Sequence, residues 1–289
     1  MEGTLSVGFV DGKRVLITGA TNGIGLAAAE ELARRGAKLA IVARSEVRAA
    51  DAVSRIGGDV DVMQADLSSQ RSVRELAAEA LGRYPRIDVL VNNAGAIYQH
   101  RELTEDGIER TWATNHLAPF LLTELLLEPI KASAPARIIT TASDAHKGAA
   151  IPFNDLNGER SYRGRGFARY GETKLANILF TAELARRLEG TGVTANCFHP
   201  GLVASGFNRN NSLLMRVGMT FVRPFSRSPR KGARGLVWLA DSEEAAGENG
   251  GYFEDTRRAR PSGAAQDMDA ARRLWEISEQ QTGAGAAAA

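Results

Sequence analysis

From Lys13 onward the chain alternates short runs of β-branched and aliphatic residues with longer stretches of helical periodicity. That alternation restricts it to a mainly parallel sheet with helices on both faces. Strands are expected at residues 15–18, 39–42, 60–64, 89–92, 137–141, 194–198 and, briefly, 251–253. Several are unbroken apolar runs, the pattern of strands covered on both sides. Between them the spacing predicts helices over 25–35, 69–81, 108–130, 170–188 and 229–239. Pro119 falls inside the third and should bend it. Ser228 followed by Pro229 reads as an N-cap and first helical position. The expectation is one domain over residues 1–282, closed by a frayed Gly/Ala tail at 283–289.

The first strand runs into TGATNGIG, Thr18 to Gly25, which opens the first helix. Gly19, Gly23 and Gly25 stand where backbone must approach a pyrophosphate closely, with Thr21, Asn22 and Ile24 completing the loop. The helix that starts there points free N–H groups and its positive dipole end at the phosphates. A glycine triplet alone is a weak signal, but its place between first strand and first helix makes it a dinucleotide site. The fold expected is therefore a Rossmann-type, doubly wound, mainly parallel seven-stranded α/β sheet. Nineteen residues after Gly25, where a carboxylate would meet a ribose 2′-hydroxyl, stands Arg44. A guanidinium pairs with a 2′-phosphate that a carboxylate would repel, so NADP(H) is favoured over NAD(H). Arg48, one turn on, either assists or faces water.

Tyr170 and Lys174 lie four apart in a strongly helical stretch and share one helix face. A free tyrosine is a poor base at neutral pH; an adjacent ammonium favours its phenolate. The pair means little alone. Here it keeps company with TGATNGIG, Asp66 after the third strand, NNAG at 92–95, Asn115 in ATNH, Ser143 after the fifth strand, and HPG at 199–201.

In that order the set resembles the short-chain dehydrogenase/reductase family, from Lys13 to about Gly283. FNDLN before the tyrosine, KLANILF and ELARRL after it, and GYFEDTRRARPS followed by LWEIS resemble its retinol dehydrogenase branch. The resemblance implies that Tyr170 exchanges the substrate hydroxyl proton while hydride passes between nicotinamide and carbonyl carbon. It implies that Lys174 lowers the tyrosine pKa and holds the nicotinamide ribose. Ser143 would bond the substrate oxygen, and Asn115 would position a water linking Lys174 to a proton relay. Asp66 would meet the adenine, and Asn92 would support the central sheet. Leu67, Asn93, Ala94, Gly95 and Val203 would line the cofactor cleft, and Pro200 and Gly201 would turn beside the carboxamide. Two positions depart from the pattern: Ala142 replaces a frequent serine before Ser143, and Asn22 stands where NADP-preferring relatives can carry a basic residue.

The neighbouring Ser143, Asp144 and His146 suggest a hydrolase only superficially, because TASDA lacks the glycines of a nucleophile elbow. His146 is expected in a loop near the site entrance, His116 and His199 in structural roles, and no cluster has metal-site spacing. With 36 basic against 34 acidic residues, the net charge of +2 is not that of a nucleic-acid binder. The single cysteine, Cys197, reads as a buried thiol. The start, MEGTLSVGFVDGKRV, has neither a signal-peptide core nor a bilayer-spanning run, and a cytoplasmic location is expected. Residues 203–231 are expected to cover the substrate. They carry Leu213, Leu214, Met215, Val217, Met219, Phe221, Val222 and Phe225 among six basic residues. These apolar residues either pack the lid or favour an apolar alcohol or carbonyl substrate, and the arginines permit weak peripheral membrane contact. A homo-oligomer is expected through the helices at 108–130 and 170–188. The alternative class is a non-catalytic dinucleotide-binding regulatory protein.

Overall fold

A computed structural model describes residues 8–202 and 227–284. The central sheet has the strand order β3-β2-β1-β4-β5-β6-β7-β8. Its strands are β1 (Arg14–Thr18), β2 (Lys38–Ala43), β3 (Val60–Gln64), β4 (Val89–Asn92), β5 (Ala136–Thr141), β6 (Val193–His199), β7 (Tyr252–Glu254) and β8 (Arg257–Arg258). Every pairing is parallel except the last, where β8 turns back on β7 with Glu254 opposite Arg257. The strand beyond the expected seven is this two-residue return. It is made by a turn in which Asp255 adopts φ 52°, a conformation that the bare pattern of a short apolar run does not disclose.

Within β1, neighbouring residues serve different layers. Leu16 joins the core under α3 (Gln70–Arg83), α5 (Ala118–Ala132) and α6 (Phe167–Arg187), whereas Val15 and Ile17 join that under α1 (Gly23–Arg34) and α2 (Glu46–Ile56). This is the alternation of a strand buried on both faces. Short helices α7 (Pro229–Gly232) and α8 (Arg234–Asp241) replace the single helix expected at 229–239, with Ala233 between them. Ser228 caps the first as expected, its hydroxyl accepting from Lys231 N. The closing helix α9 (Met268–Thr282), which the periodicity did not single out, starts on an Asp267 cap and ends at Gly283 with φ 64°. It lies on α6, with Trp275 ring-stacked on Phe180 at 5.8 Å and edge-on to Phe120 at 5.0 Å.

The helix expected at 108–130 is not continuous. It begins as α4 (Arg110–Trp112), widens into a π-helical turn (Ala113–Leu117), and resumes as α5. Ala118 N donates to Ala113 O across this wide turn. Pro119 follows, and having no N–H it can donate neither to the carbonyl four residues back, Asn115, nor to that five back, Thr114.

Candidate active site

The strand order reverses between β1 and β4, and the residues singled out in the sequence gather at the carboxyl edge around that switch point. Gly19 follows β1 with φ 71°, and a Cβ there would press within 2.8 Å of Ala94 Cα. A Cβ on Gly25 would run into Gly19 O and Asn93 Nδ2. The loop after β1 and the loop after β4 are thus pressed together. Thr18 Oγ1 joins them by accepting from Asn93 N and Ala94 N, both at 3.0 Å. Asn93 Nδ2 returns bonds to Thr18 O at 3.0 Å and Gly19 O at 3.2 Å.

Asn22 caps α1, its Oδ1 accepting from Gly23 N at 2.8 Å. Ile24 and Gly25 precede the first intrahelical bond, from Leu26 N to Asn22 O, and their N–H groups are of the kind an anion satisfies. Thr21 is half-buried in the same loop. At the far end, Arg44 is exposed just beyond β2, and Asp66 just beyond β3. Burial opposes ionisation of Asp66. The backbone and side chain of Ser68 and the charge of Arg44 outweigh it and hold the carboxyl below its ordinary value. Leu67 follows, half-buried, opposite Ala94 and Thr114 in one crevice. The glycine loop and the amides at the start of α1 fit the pyrophosphate of a dinucleotide.

Tyr170 and Lys174 stand one turn apart on α6, with Lys174 Nζ 5.4 Å from the tyrosine ring centre. Lys174 is buried and donates to Thr141 O at 2.8 Å. Burial lowers its pKa to about 8. Burial pushes the Tyr170 hydroxyl up to about 12, against a hydrogen bond with Ser143 that draws it down. Gly95 is close by, since a Cβ on it would lie 3.6 Å from Lys174 Nζ and 3.5 Å from Asn115 Oδ1.

Asn115 joins the loop after β4 to α6. Its side chain is held in a two-way bond with the loop after β4, Oδ1 accepting from Ala96 N at 2.8 Å and Nδ2 donating to Ala96 O at 2.9 Å. Nδ2 also reaches Thr173 Oγ1 at 3.2 Å, and that hydroxyl donates to Tyr170 O at 2.8 Å. Pro119, lacking an N–H, gives no hydrogen bond to the Asn115 carbonyl. Asn92 supports the sheet as expected, donating from Nδ2 to Thr123 Oγ1 at 2.9 Å. Thr18, Thr141 and Thr173 were not anticipated, because a threonine's value here lies in tertiary placement that no motif spacing reveals.

His146 is buried, not at an entrance. Its Nε2 accepts from Ser262 N at 3.1 Å, so Nδ1 carries the proton toward Ser143 O, 2.7 Å away. The imidazole therefore faces the serine's backbone and not its hydroxyl, which removes the geometry of a hydrolase pair. His116 is structural: buried, with Nε2 2.9 Å from Ser278 Oγ on α9, and lowered by burial to about 4. Among the described residues, Asp144, His199 and Glu254 bring ligand-type atoms within 4.8 Å of one another. Asp144 and His199 are already engaged, however. Asp144 Oδ1 meets the Lys147 ammonium at 2.8 Å and the Tyr252 hydroxyl at 3.0 Å, and His199 Nδ1 accepts from Asp144 N.

Pro200 and Gly201 follow β6 directly, and Gly201 has φ 77°. Arg227 folds over this turn, its N donating to Leu202 O at 2.7 Å and its guanidinium reaching Asp255 at 2.7 Å. Val203 and most of the cover expected at 203–231 lie outside the described residues, which resume at Arg227.

The chain belongs to the short-chain dehydrogenase family, whose profile matches residues 13–213. It is 43% identical over 294 residues to retinol dehydrogenase 14 of Mus musculus, covering 96% of this chain and 87% of that one. It is 42% identical to DnrU of Streptomyces sp. (strain C5), assigned as a daunorubicin C-13 ketoreductase, covering 96% and 94% of the two chains. Among solved structures it is similar to an uncharacterised protein from Mycobacterium paratuberculosis, with 32% identity, a TM-score of 0.76 and 94% of each chain covered. It is also similar to RhlG of Pseudomonas aeruginosa in an NADP active-site complex, with 28% identity and a TM-score of 0.68, covering 89% and 97%. The chain is accordingly an alcohol/carbonyl oxidoreductase of the retinol dehydrogenase-like branch, with a nicotinamide dinucleotide as cofactor. Among the described residues no helix is long and apolar enough to cross a membrane.

Proposed function

We propose that the protein is an NADP(H)-dependent enzyme interconverting an apolar alcohol and its aldehyde or ketone, with Tyr170 as acid/base. The carrying observation is that Ser143 is bonded to Tyr170, one turn of α6 from Lys174, which is fixed on Thr141 and lies beside Gly95. A nicotinamide dinucleotide held at the glycine loop would supply hydride to the carbonyl carbon in reduction and accept it from the alcohol carbon in oxidation. A tyrosine hydroxyl at about 12 holds its proton at neutral pH. Tyr170 is therefore set to give that proton to the substrate oxygen as the carbon gains hydride, which completes the alcohol. Ser143 orients the same oxygen. Lys174 and a water on the Asn115 carbonyl return a proton to Tyr170, and the sequence reverses for oxidation. Asn115, Ser143, Tyr170 and Lys174 are the catalytic set in this reading.

Arg44 supports the NADP(H) preference, being exposed at the adenosine end and close enough to lower Asp66. The apolar substrate class is supported by the names of relatives, two of which refer to retinol and to a daunorubicin ketone. The catalytic unit spans residues 1–282 with its cover at about 203–231, in a cytoplasmic protein with weak peripheral membrane contact through that basic cover. A homo-oligomer through the helices at 108–130 and 170–188 belongs to this reading, with α9 lying on α6 and against Phe120 of α5 beside that face.

The test is direct titration of NADPH and NADH against wild type and Arg44→Asp. Wild type should prefer NADPH by about tenfold or more, the worth of one good charge-assisted pair, and the variant should lose or invert that preference. Binding of neither nucleotide would overturn this reading, and binding without turnover of any alcohol or carbonyl would favour the regulatory protein.

A further inference from the structure

Beneath the site, a buried ionic hub joins the segments that carry its parts. Glu109 and Arg169 are both buried, with Arg169 Nε 3.6 Å from Glu109 Oε2. Glu109 caps the helix that leads into the π-helical turn holding Asn115, its carboxylate accepting from Thr111 N at 2.9 Å and Trp112 N at 2.8 Å. Arg169 precedes Tyr170 in the chain. Its Nη2 donates to Asp155 O at 3.1 Å, and its Nη1 lies 2.8 Å from the Glu172 carboxylate. The Tyr162 hydroxyl completes the hub, donating to Tyr98 O at 2.7 Å and lying 3.3 Å from Glu109 Oε1. Tyr98 belongs to the loop that begins at Asn93. Gly166, just ahead of α6, takes φ 81° against the same carbonyl, where any Cβ would collide.

Three strands of chain therefore meet at one carboxylate and one carbonyl: the loop after β4, the start of α4 and the start of α6. As a source of stability this is a poor arrangement. Two buried charges are costly to desolvate, and well-packed apolar residues often do as well. The guanidinium is not even fully matched, for its Nε and Nη1 lack well-aligned acceptors. What the hub does supply is a fixed distance between Asn115 on one helix and Tyr170 on another.

We propose that Arg169 and Glu109, with Tyr162, are positioning residues that set where Tyr170 stands relative to Asn115 and Ser143. The proposal rests on the reading of Tyr170 as the acid/base. None of the three touches the glycine loop or Arg44, so cofactor binding and turnover should separate.

The experiment uses the full chain as wild type, Arg169→Met, Arg169→Lys and Tyr162→Phe. It measures NADPH affinity, kcat and KM over a panel of medium-chain aldehydes, and amide hydrogen exchange. Arg169→Met should bind NADPH as wild type does yet lose on the order of 100-fold in kcat, as misplacement of a reacting group by about 1 Å does. Arg169→Lys should recover part of that loss. Exchange in Arg169→Met should rise together in residues 109–117 and 167–174. A folded Arg169→Met with wild-type kcat, or exchange that rises in only one of the two segments, overturns the proposal. Should Arg169→Met not fold, Tyr162→Phe keeps the ion pair and decides the matter by the same kinetic split and the same paired exchange. If wild type turns over no aldehyde while the paired exchange is seen, the functional reading fails and the hub stands.

Discussion

Gly171 lies so near the carbonyl oxygen of Ala145 that a Cβ on it would come within 2.6 Å. This contact seats α6 on the turn that begins at Ser143 and so permits the Ser143 to Tyr170 hydrogen bond. Gly171→Val should push helix and turn apart and lower kcat on the order of 100-fold, as a displacement of about 1 Å does, with NADPH affinity unchanged. Wild-type turnover in a folded variant would show that the close approach has no bearing on the chemistry.

Tyr170→Phe removes one oxygen from a helix otherwise intact. Turnover should fall by roughly 10²- to 10⁴-fold, the range for a lost general acid, while NADPH still binds. Steady-state kinetics with a single aldehyde suffice, and a loss below tenfold would assign the proton to another group.

Lys174 makes a thermodynamic prediction distinct from its kinetic one. With a pKa lowered to about 8 by burial, its charged form at neutral pH costs the fold on the order of 3 kcal/mol. Lys174→Met should therefore be more stable than wild type at pH 7, by about 2 kcal/mol once the lost bond to Thr141 is allowed for, and inactive. The folded protein binds fewer protons here than the unfolded chain, so wild-type stability should rise from about pH 8 toward the ordinary lysine value of 10.5. The variant's advantage should shrink over the same window. Calorimetry at pH 7 and pH 9.5 reads both, and an advantage independent of pH would mean that the methionine acts by packing alone.

Glu124 on α5 is a second group under strain. Burial first, and then Glu279 of α9, raise its pKa to about 7, and its Oε1 is buried without a hydrogen-bond partner. A raised carboxyl contributes stability while protonated and loses it as pH climbs from the unfolded value near 4.5 to about 7. Partial exposure screens the effect. Glu124→Gln should thus raise Tm by roughly 2–4 °C at pH 8, what about 1 kcal/mol does in a protein of this size, and by less at pH 5. Equal Tm values at pH 8 would place the carboxylate in solvent.

The sheet and the two ends of the cofactor cleft were legible because they depend on local signals. Unbroken apolar runs mark strands covered on both sides, and TGATNGIG and Arg44 lie at fixed offsets from the ends of β1 and α1. The Tyr170 and Lys174 pair was legible through helical spacing. What escaped depends on contacts distant in sequence. Glu109 and Arg169 look like surface charges until α4 and α6 are brought together, and His146 looks like a loop residue until Ser262, far along the chain, donates to it. The role of Asn115 was half legible. Pro119 announced a disturbed helix, but the wider turn it accompanies is a property of backbone register and carries no residue signature.

The bond between Arg227 N and Leu202 O closes a ring of chain around residues 203–226. On one side of that closure stands β6 with the Pro200 turn; on the other stands Ser228, already capping α7. The framework that holds the reacting groups is thus complete at both ends of the excursion. A longer or shorter connection between two fixed ends costs little, since closure entropy grows only with the logarithm of length. The chain can therefore differ in length between Leu202 and Arg227 without disturbing the strand and helix on either side.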